Sequence, residues 1–144
     1  MEKSKYYDGT KLLSMKDIKG NTPEVFLVTS NRTAGKTTFF TRMLINRFKK
    51  KGEKFGVLVR YGADLKTCDE RIFKDVQSLF FPSSKMEIKK GVENAFAELY
   101  LDDEPCGYAI AINNARKIKE VSHILTDTKS LFFDEFNYIV RCTI

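Results

Sequence analysis

"FLVTSNRTAGKTTFF", residues 26–40, decides how the rest of the chain is read. Its first residues complete a short apolar run, "EVFLVT" (24–29), bounded by Pro23 and by a polar loop. Such a run predicts a strand buried on both faces of a parallel sheet. After the loop, Phe40, Met43, Leu44 and Phe48 recur at helical spacing from Lys36 to Lys51, and Gly52 stands where a C-cap glycine belongs.

Strand, loop, glycine, lysine, hydroxyl, helix is an order with a chemical reason. The backbone N–H groups of the loop (Ser30, Asn31, Arg32, Thr33, Ala34, Gly35) and of the helix start through Thr38 are in place to surround an anion. The Lys36 ammonium then reaches the terminal phosphates of a nucleotide, and the Thr37 hydroxyl coordinates Mg2+. The full pattern G-x-x-x-x-G-K-[ST] has its first glycine where this chain has Ser30, and the bare tripeptide is common by chance. Its setting between a predicted strand and a predicted helix is what raises it.

A second stretch answers the first. "SLFFDEF" (130–136) reads as four residues of strand ending in two acids. Metal-assisted phosphoryl transfer needs a carboxylate at a strand tip for Mg2+ and, for hydrolysis, a base beside it to orient water. Asp134 supplies the first and Glu135 the second. On its own "DE" is an ordinary polar strand end; together with Lys36 and Thr37 it points to ATP, Mg2+ and nucleotide hydrolysis.

Between these stretches, "KFGVLVRY" predicts a second strand, and "ADLKTCDERIFKDVQSLF" predicts a helix through Leu65, Ile72, Val76 and Leu79 that "FPSS" ends. "KMEIKKG", "NAFAELYLDDE" and "CGYAIAI" alternate as three strands with turns at Lys90-Gly91 and Asp102 to Pro105; a helix over "VENAFAELYL" also fits the spacing, and the strand reading is carried forward. "NNARKIKEV" predicts a short polar helix, and "TKLLSMKDI" has helical spacing at Leu12, Leu13, Met15 and Ile18.

Composition bounds the rest. With 144 residues, 42% of them hydrophobic, and no repeat or linker, one domain over 1–144 is the expectation. No run is long enough to span a membrane and no signal peptide begins the chain, which predicts a cytoplasmic protein. Cys68, Cys106 and Cys142 are far apart with a single histidine, His123, so neither a disulfide framework nor a zinc site is indicated. They read as reduced apolar residues and His123 as structural or exposed, while the pairs Phe39-Phe40, Phe80-Phe81 and Phe132-Phe133 read as core. The net charge of +6 suits a polyanionic partner. From Lys36 to Arg60 eight basic residues face one acid, Glu53, although Lys49 to Lys51 also read as a solvated helix end complementing the dipole.

"SNRTAGKTT", with Arg32 third in the loop and Ser30 replacing the first glycine, resembles the modified phosphate loop of the large terminase ATPases of tailed phages. "INRFKKKGEKFGVLVRY", "CGYAIAI" and "SLFFDEF", in that order, with "KLLSM" near the start, resemble the DNA-packaging (encapsidation) ATPases of small Picovirinae-type phages from about Lys11 to Phe136. The resemblance implies an α/β P-loop NTPase fold of the additional-strand, catalytic-glutamate type, with a mainly parallel central sheet and a small antiparallel β-meander. It implies a motor subunit that hydrolyses ATP to thread double-stranded DNA into a procapsid, as a homo-oligomeric ring on the portal, in the cytoplasm of the bacterial host. By the same resemblance Lys36 and Thr37 hold phosphates and Mg2+, Asp134 is the metal carboxylate, Glu135 the catalytic base and Arg32 a sensor of the terminal phosphate. Arg60, and Lys117 or Lys119, match basic positions near a subunit interface or DNA. Other P-loop DNA-dependent ATPases, and a non-catalytic nucleotide-binding or assembly module of prophage origin, are the alternatives.

Members of that family continue past the acidic strand through further strands, a coupling motif, an arginine acting in trans and a nuclease-like domain, whereas nine residues follow Glu135 here. "NYIVRCTI" is too short for the crossover of a dozen or more residues that another parallel strand needs. The expectation is a C-terminally incomplete piece, cut or natural, whose sheet is open unless another chain completes it.

Overall fold

The computed structural model describes residues 16–22, 24–25, 27–28, 35–66, 73–92, 95–120 and 122–133. Helix α1, Lys36–Lys51, carries Thr41, Leu44 and Ile45 fully buried, with Phe48 packed against the same core. These positions follow the three-and-four spacing of one helix face, with no glycine or proline inside. Gly52 ends the helix in the left-handed conformation (φ 67°), its N–H donating to the Phe48 carbonyl at 2.7 Å. Lys49, Lys50 and Lys51 occupy the last turn, where cations complement the helix dipole.

Strand β1, Lys54–Val59, follows after two residues. A 3-10 turn over Gly62–Lys66 and helix α2, Asp75–Phe80, then lead to β2, Met86–Lys90. β3, Phe96–Leu101, and β4, Glu104–Ala111, form a hairpin whose two turn residues, Asp102 and Asp103, both have positive φ (52° and 67°). That is the primed turn whose twist matches antiparallel strands, and the Asp102 carboxylate closes it by accepting from Lys85 N–H at 2.7 Å. A second 3-10 turn, Ile112–Asn114, helix α3, Ala115–Glu120, and a third turn, Ser122–Leu125, precede β5, Thr128–Phe133.

The five strands form one sheet in the order β2-β3-β4-β1-β5. β1 runs parallel to both β4 and β5, and β2-β3-β4 is an antiparallel meander. The three-strand reading of the middle is therefore correct and the helix over "VENAFAELYL" is not formed. The mainly parallel sheet is corrected to a mixed one with two parallel and two antiparallel pairs, because the meander shares β4 with the parallel half.

Alternation divides the sheet into two faces. Phe55 and Val57 of β1, Ala97 and Leu99 of β3, Ala109 of β4 and Phe132 of β5 face α1 and α2 in the main core, which also takes Phe73 and Val76. The opposite face holds a smaller cluster of Ala95, Phe96 and Ile110, with Leu58, Tyr108 and Leu125 against it. Leu131 of β5 stays 58% exposed on that side, its side chain lying over Gly56, where an added Cβ would meet it at 2.7 Å.

Two sequence expectations need correction. Val25 and Leu27 are 73% and 72% exposed, and residues 24, 25, 27 and 28 have no strand structure, so the described part of "EVFLVT" is not in the sheet. An apolar run records a tendency to be buried, and a strand also needs a neighbour to pair with; among the described residues β5 pairs only with β1. Leu79 is exposed, while Phe73 and Val76 are buried; Ile72 lies outside the described residues. Of the helix read over "TKLLSMKDI", residues 11–15 lie outside the described residues and Ile18 is exposed in a turn. Cys106 is a free, buried thiol, whereas Cys68 and Cys142 lie outside the described residues.

Thr41 has a fully buried hydroxyl with no hydrogen-bond partner among the described residues. Replacing such a group by a methyl removes a desolvation cost, so Thr41→Val is expected to raise stability by about 1 kcal/mol in urea unfolding. Burial pushes the Cys106 thiol up from 9.0 to about 12. Above pH 9 the unfolded chain loses this proton while the native chain keeps it, so stability falls as pH rises toward 12, by at most about 1.4 kcal/mol per pH unit from this group. Unfolding curves between pH 9 and 10.5 should show that extra slope in the parent and not in Cys106→Ala.

Candidate functional site

The site is built at the N-terminus of α1. Gly35 is the N-cap residue, in the left-handed conformation (φ 79°, ψ 18°) that a residue with a Cβ adopts only under strain. No side chain caps the helix and no acid sits in its first turn. The helix dipole places partial positive charge at this turn and the turn itself contains no acid, an electrostatic setting that suits an anion. Lys36, Thr37 and Thr38 follow in that turn, all half-buried.

Three observations fix where this helix start lies. The link from α1 to β1 is two residues, so the C-terminus of α1 sits at the amino end of β1 and the helix runs back along the sheet. A helix of 16 residues is about 24 Å long and a six-residue strand about 20 Å, so the first turn reaches the carboxyl edge of the strands. Phe40, one turn into α1, stacks on Phe132 near the end of β5, with ring centroids 5.6 Å apart and planes at 29°. Further along, Arg47 Nη1 donates to Ser130 Oγ at 3.2 Å, which confirms the opposed direction of helix and strand. Lys36 and Thr37 therefore stand at the carboxyl ends of three parallel strands, beside the strand whose next two residues in sequence are Asp134 and Glu135.

Gly35, Lys36, Thr37 and Thr38 thus occupy the helix start that the sequence predicted. Ser30, Asn31, Arg32, Thr33 and Ala34, with Asp134 and Glu135, lie outside the described residues. Arg60 immediately follows β1 at the same edge, its guanidinium 5.1 Å from the Tyr61 ring. Lys117 and Lys119 are exposed on α3, and His123 is exposed in the following turn. A shallow hollow lined by Phe48, Lys49, Gly52, Lys54, Leu101 and Pro105 lies at the other end of β1, so it is separate from the glycine-lysine-threonine turn.

Sequence reasoning did not find the pair that positions the helix. Phe40 and Phe132 read simply as core, and Arg47 as one of several basic residues. The signal available was the alternation of "TKSLFF", which sets Thr128, Ser130 and Phe132 on one face of β5.

A mixed five-stranded sheet with a glycine-lysine-threonine helix start at the carboxyl edge of its parallel strands makes this a mixed α/β protein. The chain belongs to the podovirus DNA encapsidation protein (Gp16) family, whose model matches residues 1–141. The N-terminal domain of the DNA packaging ATPase from bacteriophage phi29 superposes with a TM-score of 0.59 at 31% identity, over 74% of this chain and 50% of that one. The bacteriophage phi29 viral genome packaging motor assembly gives 0.62 at 27% identity, over 91% of this chain and 35% of that one. The chain thus spans half or less of these structures' own chains. No curated protein sequence matches it significantly. Among the described residues no helix is long and apolar enough to cross a membrane.

If the Phe40–Phe132 stack holds α1 to β5, a double-mutant cycle of Phe40→Ala and Phe132→Ala should give a coupling energy of about 0.5–1.5 kcal/mol by chemical denaturation. Additive losses would mean that the rings are independent.

Proposed function

We propose that the chain is the ATPase part of a viral DNA-packaging motor subunit with a P-loop fold, hydrolysing ATP with Mg2+ to translocate double-stranded DNA. The observation that carries this reading is the start of α1 at left-handed Gly35, with Lys36 and Thr37 in a first turn that contains no acid, held at the carboxyl edge beside β5. Membership of the encapsidation family and similarity to a packaging ATPase domain support the same reading.

Gly35 gives the backbone the turn that opens the first N–H groups toward phosphates. Lys36 contributes a point charge to the terminal phosphates, and the Thr37 hydroxyl is a hard oxygen ligand suited to Mg2+. When bound, Mg2+ neutralises charge on the phosphate oxygens. Asp134 would hold the metal, Glu135 would orient the attacking water and take its proton, and Arg32 would sense the terminal phosphate. The subunit acts in a homo-oligomeric ring at the portal of a procapsid. A second reading, nucleotide binding without turnover, is favoured by Val25 and Leu27, whose exposure leaves the described residues before the loop outside the sheet.

Isothermal calorimetry with Mg-ATP should give saturable binding to the 144-residue chain that Lys36→Ala reduces at least about tenfold, the loss of one charge-assisted phosphate contact. Glu135→Gln should bind as the parent does while any phosphate release falls by about a hundredfold or more. A folded chain that binds no Mg-ATP overturns the proposal; binding with no release in the parent favours the second reading.

A further inference from the structure

The other end of α1 carries a feature that nucleotide binding does not use. Arg42 and Lys49 are seven residues apart and so lie on one flank of the helix, with Lys50 beside them; all three are exposed. The flank is floored by α2: the Arg42 guanidinium sits 4.1 Å from the centre of the Phe80 ring and the Lys49 ammonium 5.1 Å from that of Phe81. Lys49 also donates to Ser84 Oγ at 2.6 Å, leaving it further donors. Among the described residues none of the three forms an ion pair, although Lys51 and Lys54 do, with Glu53 and Asp127.

We propose that this flank, Arg42 over Phe80 and Lys49 over Phe81 with Lys50 beside them, is a contact surface for the phosphate backbone of a duplex nucleic acid. A ring beneath a cation removes part of the entropy cost of holding a long side chain in place and leaves its N–H groups directed outward. Arg42 and Lys49 stand about 10 Å apart along the helix axis, which spans roughly three phosphates of one strand. The charge is presented mainly as cations on long side chains, which suits contact to the backbone and little dependence on sequence. A solvated helix end accounts for Lys50 and Lys51, but not for an arginine two turns earlier stacked on the neighbouring helix. The packaging reading enters only through the choice of nucleic acid as the polyanion. Lys49 is about 20 Å along the helix from Lys36, so failure at one end does not entail failure at the other.

The test is fluorescence anisotropy of labelled DNA and RNA duplexes of about 20 base pairs and mixed sequence, titrated with the 144-residue chain between about 50 and 200 mM salt. Arg42→Gln/Lys49→Gln should weaken binding at least about tenfold and lower the slope of log K against log salt by about 2. Lys50→Gln, which removes no contact to the described residues, should lower the slope by about 1 and carries the test if the double variant does not fold. Lys89→Gln, on the other face of the sheet, should bind as the parent does, and a difference between the DNA and RNA arms identifies the duplex preferred. Unchanged binding in both flank variants overturns the proposal, as does a parent chain that binds neither duplex. Mg-ATP calorimetry on the same variants should be unaffected.

Discussion

The rest of the structure depends on β1 lying between two parallel neighbours at close range. An added Cβ at Gly107 of β4 would stand 1.9 Å from the Phe55 carbonyl oxygen, so that position has no room for a side chain. On the other edge Gly56 leaves space for Leu131 of β5 to lie over the strand. Phe55 and Val57 are then buried beneath α1, and a strand with both edges paired leaves few backbone groups unsatisfied. The same pairing carries the antiparallel meander, because β4 belongs to both halves of the sheet.

With β1 fixed, the direction of α1 follows from a two-residue connection, and its height over the sheet follows from the Phe40–Phe132 stack. The Arg47–Ser130 bond adds a second point of attachment, so the helix start is positioned by packing against β5. This is a mechanical link between the residues that would hold phosphates and the strand leading to Asp134 and Glu135. A change at either end has a short, stiff route to the other.

The legible parts of the sequence were those where a local pattern has one physical solution. Lys36–Lys51 combined helical spacing with a C-cap glycine, and the structure has that helix with Gly52 at φ 67°. The strands β2, β3 and β4 followed from alternation and from Asp102-Asp103, a pair that tolerates positive φ. "EVFLVT" was misread for its described residues because hydrophobicity carries no information about which strand, if any, lies alongside. The mixed sheet was missed for a related reason: pairing partners are decided by contacts far apart in sequence. At the candidate site, the placement of Gly35, Lys36 and Thr37 at a helix start could be read because it depends on three consecutive residues and a helical spacing that follows them. Phe40, Phe132, Arg47 and Ser130 could not, since their roles arise only when helix and strand meet.

On the two proposals, the two ends of α1 would attract negative charge by different physics. At the N-terminus the attraction would come from backbone N–H groups and the helix dipole, aided by one lysine and one hydroxyl. Those groups are fixed in direction, which suits a ligand of one size and geometry. At the C-terminus the dipole has the opposite sign, so it stabilises clustered lysines, and the charge is presented on long side chains. Such groups suit a polyanion whose phosphates repeat and whose sequence does not matter. A short site that selects a small anion and a broad one that follows a charged backbone can therefore share one 16-residue helix without competing for the same ligand. Because Phe40 anchors one end to β5 and Arg42 and Lys49 rest on α2 further along, the helix that joins the two sites is also the element that packs the core between them.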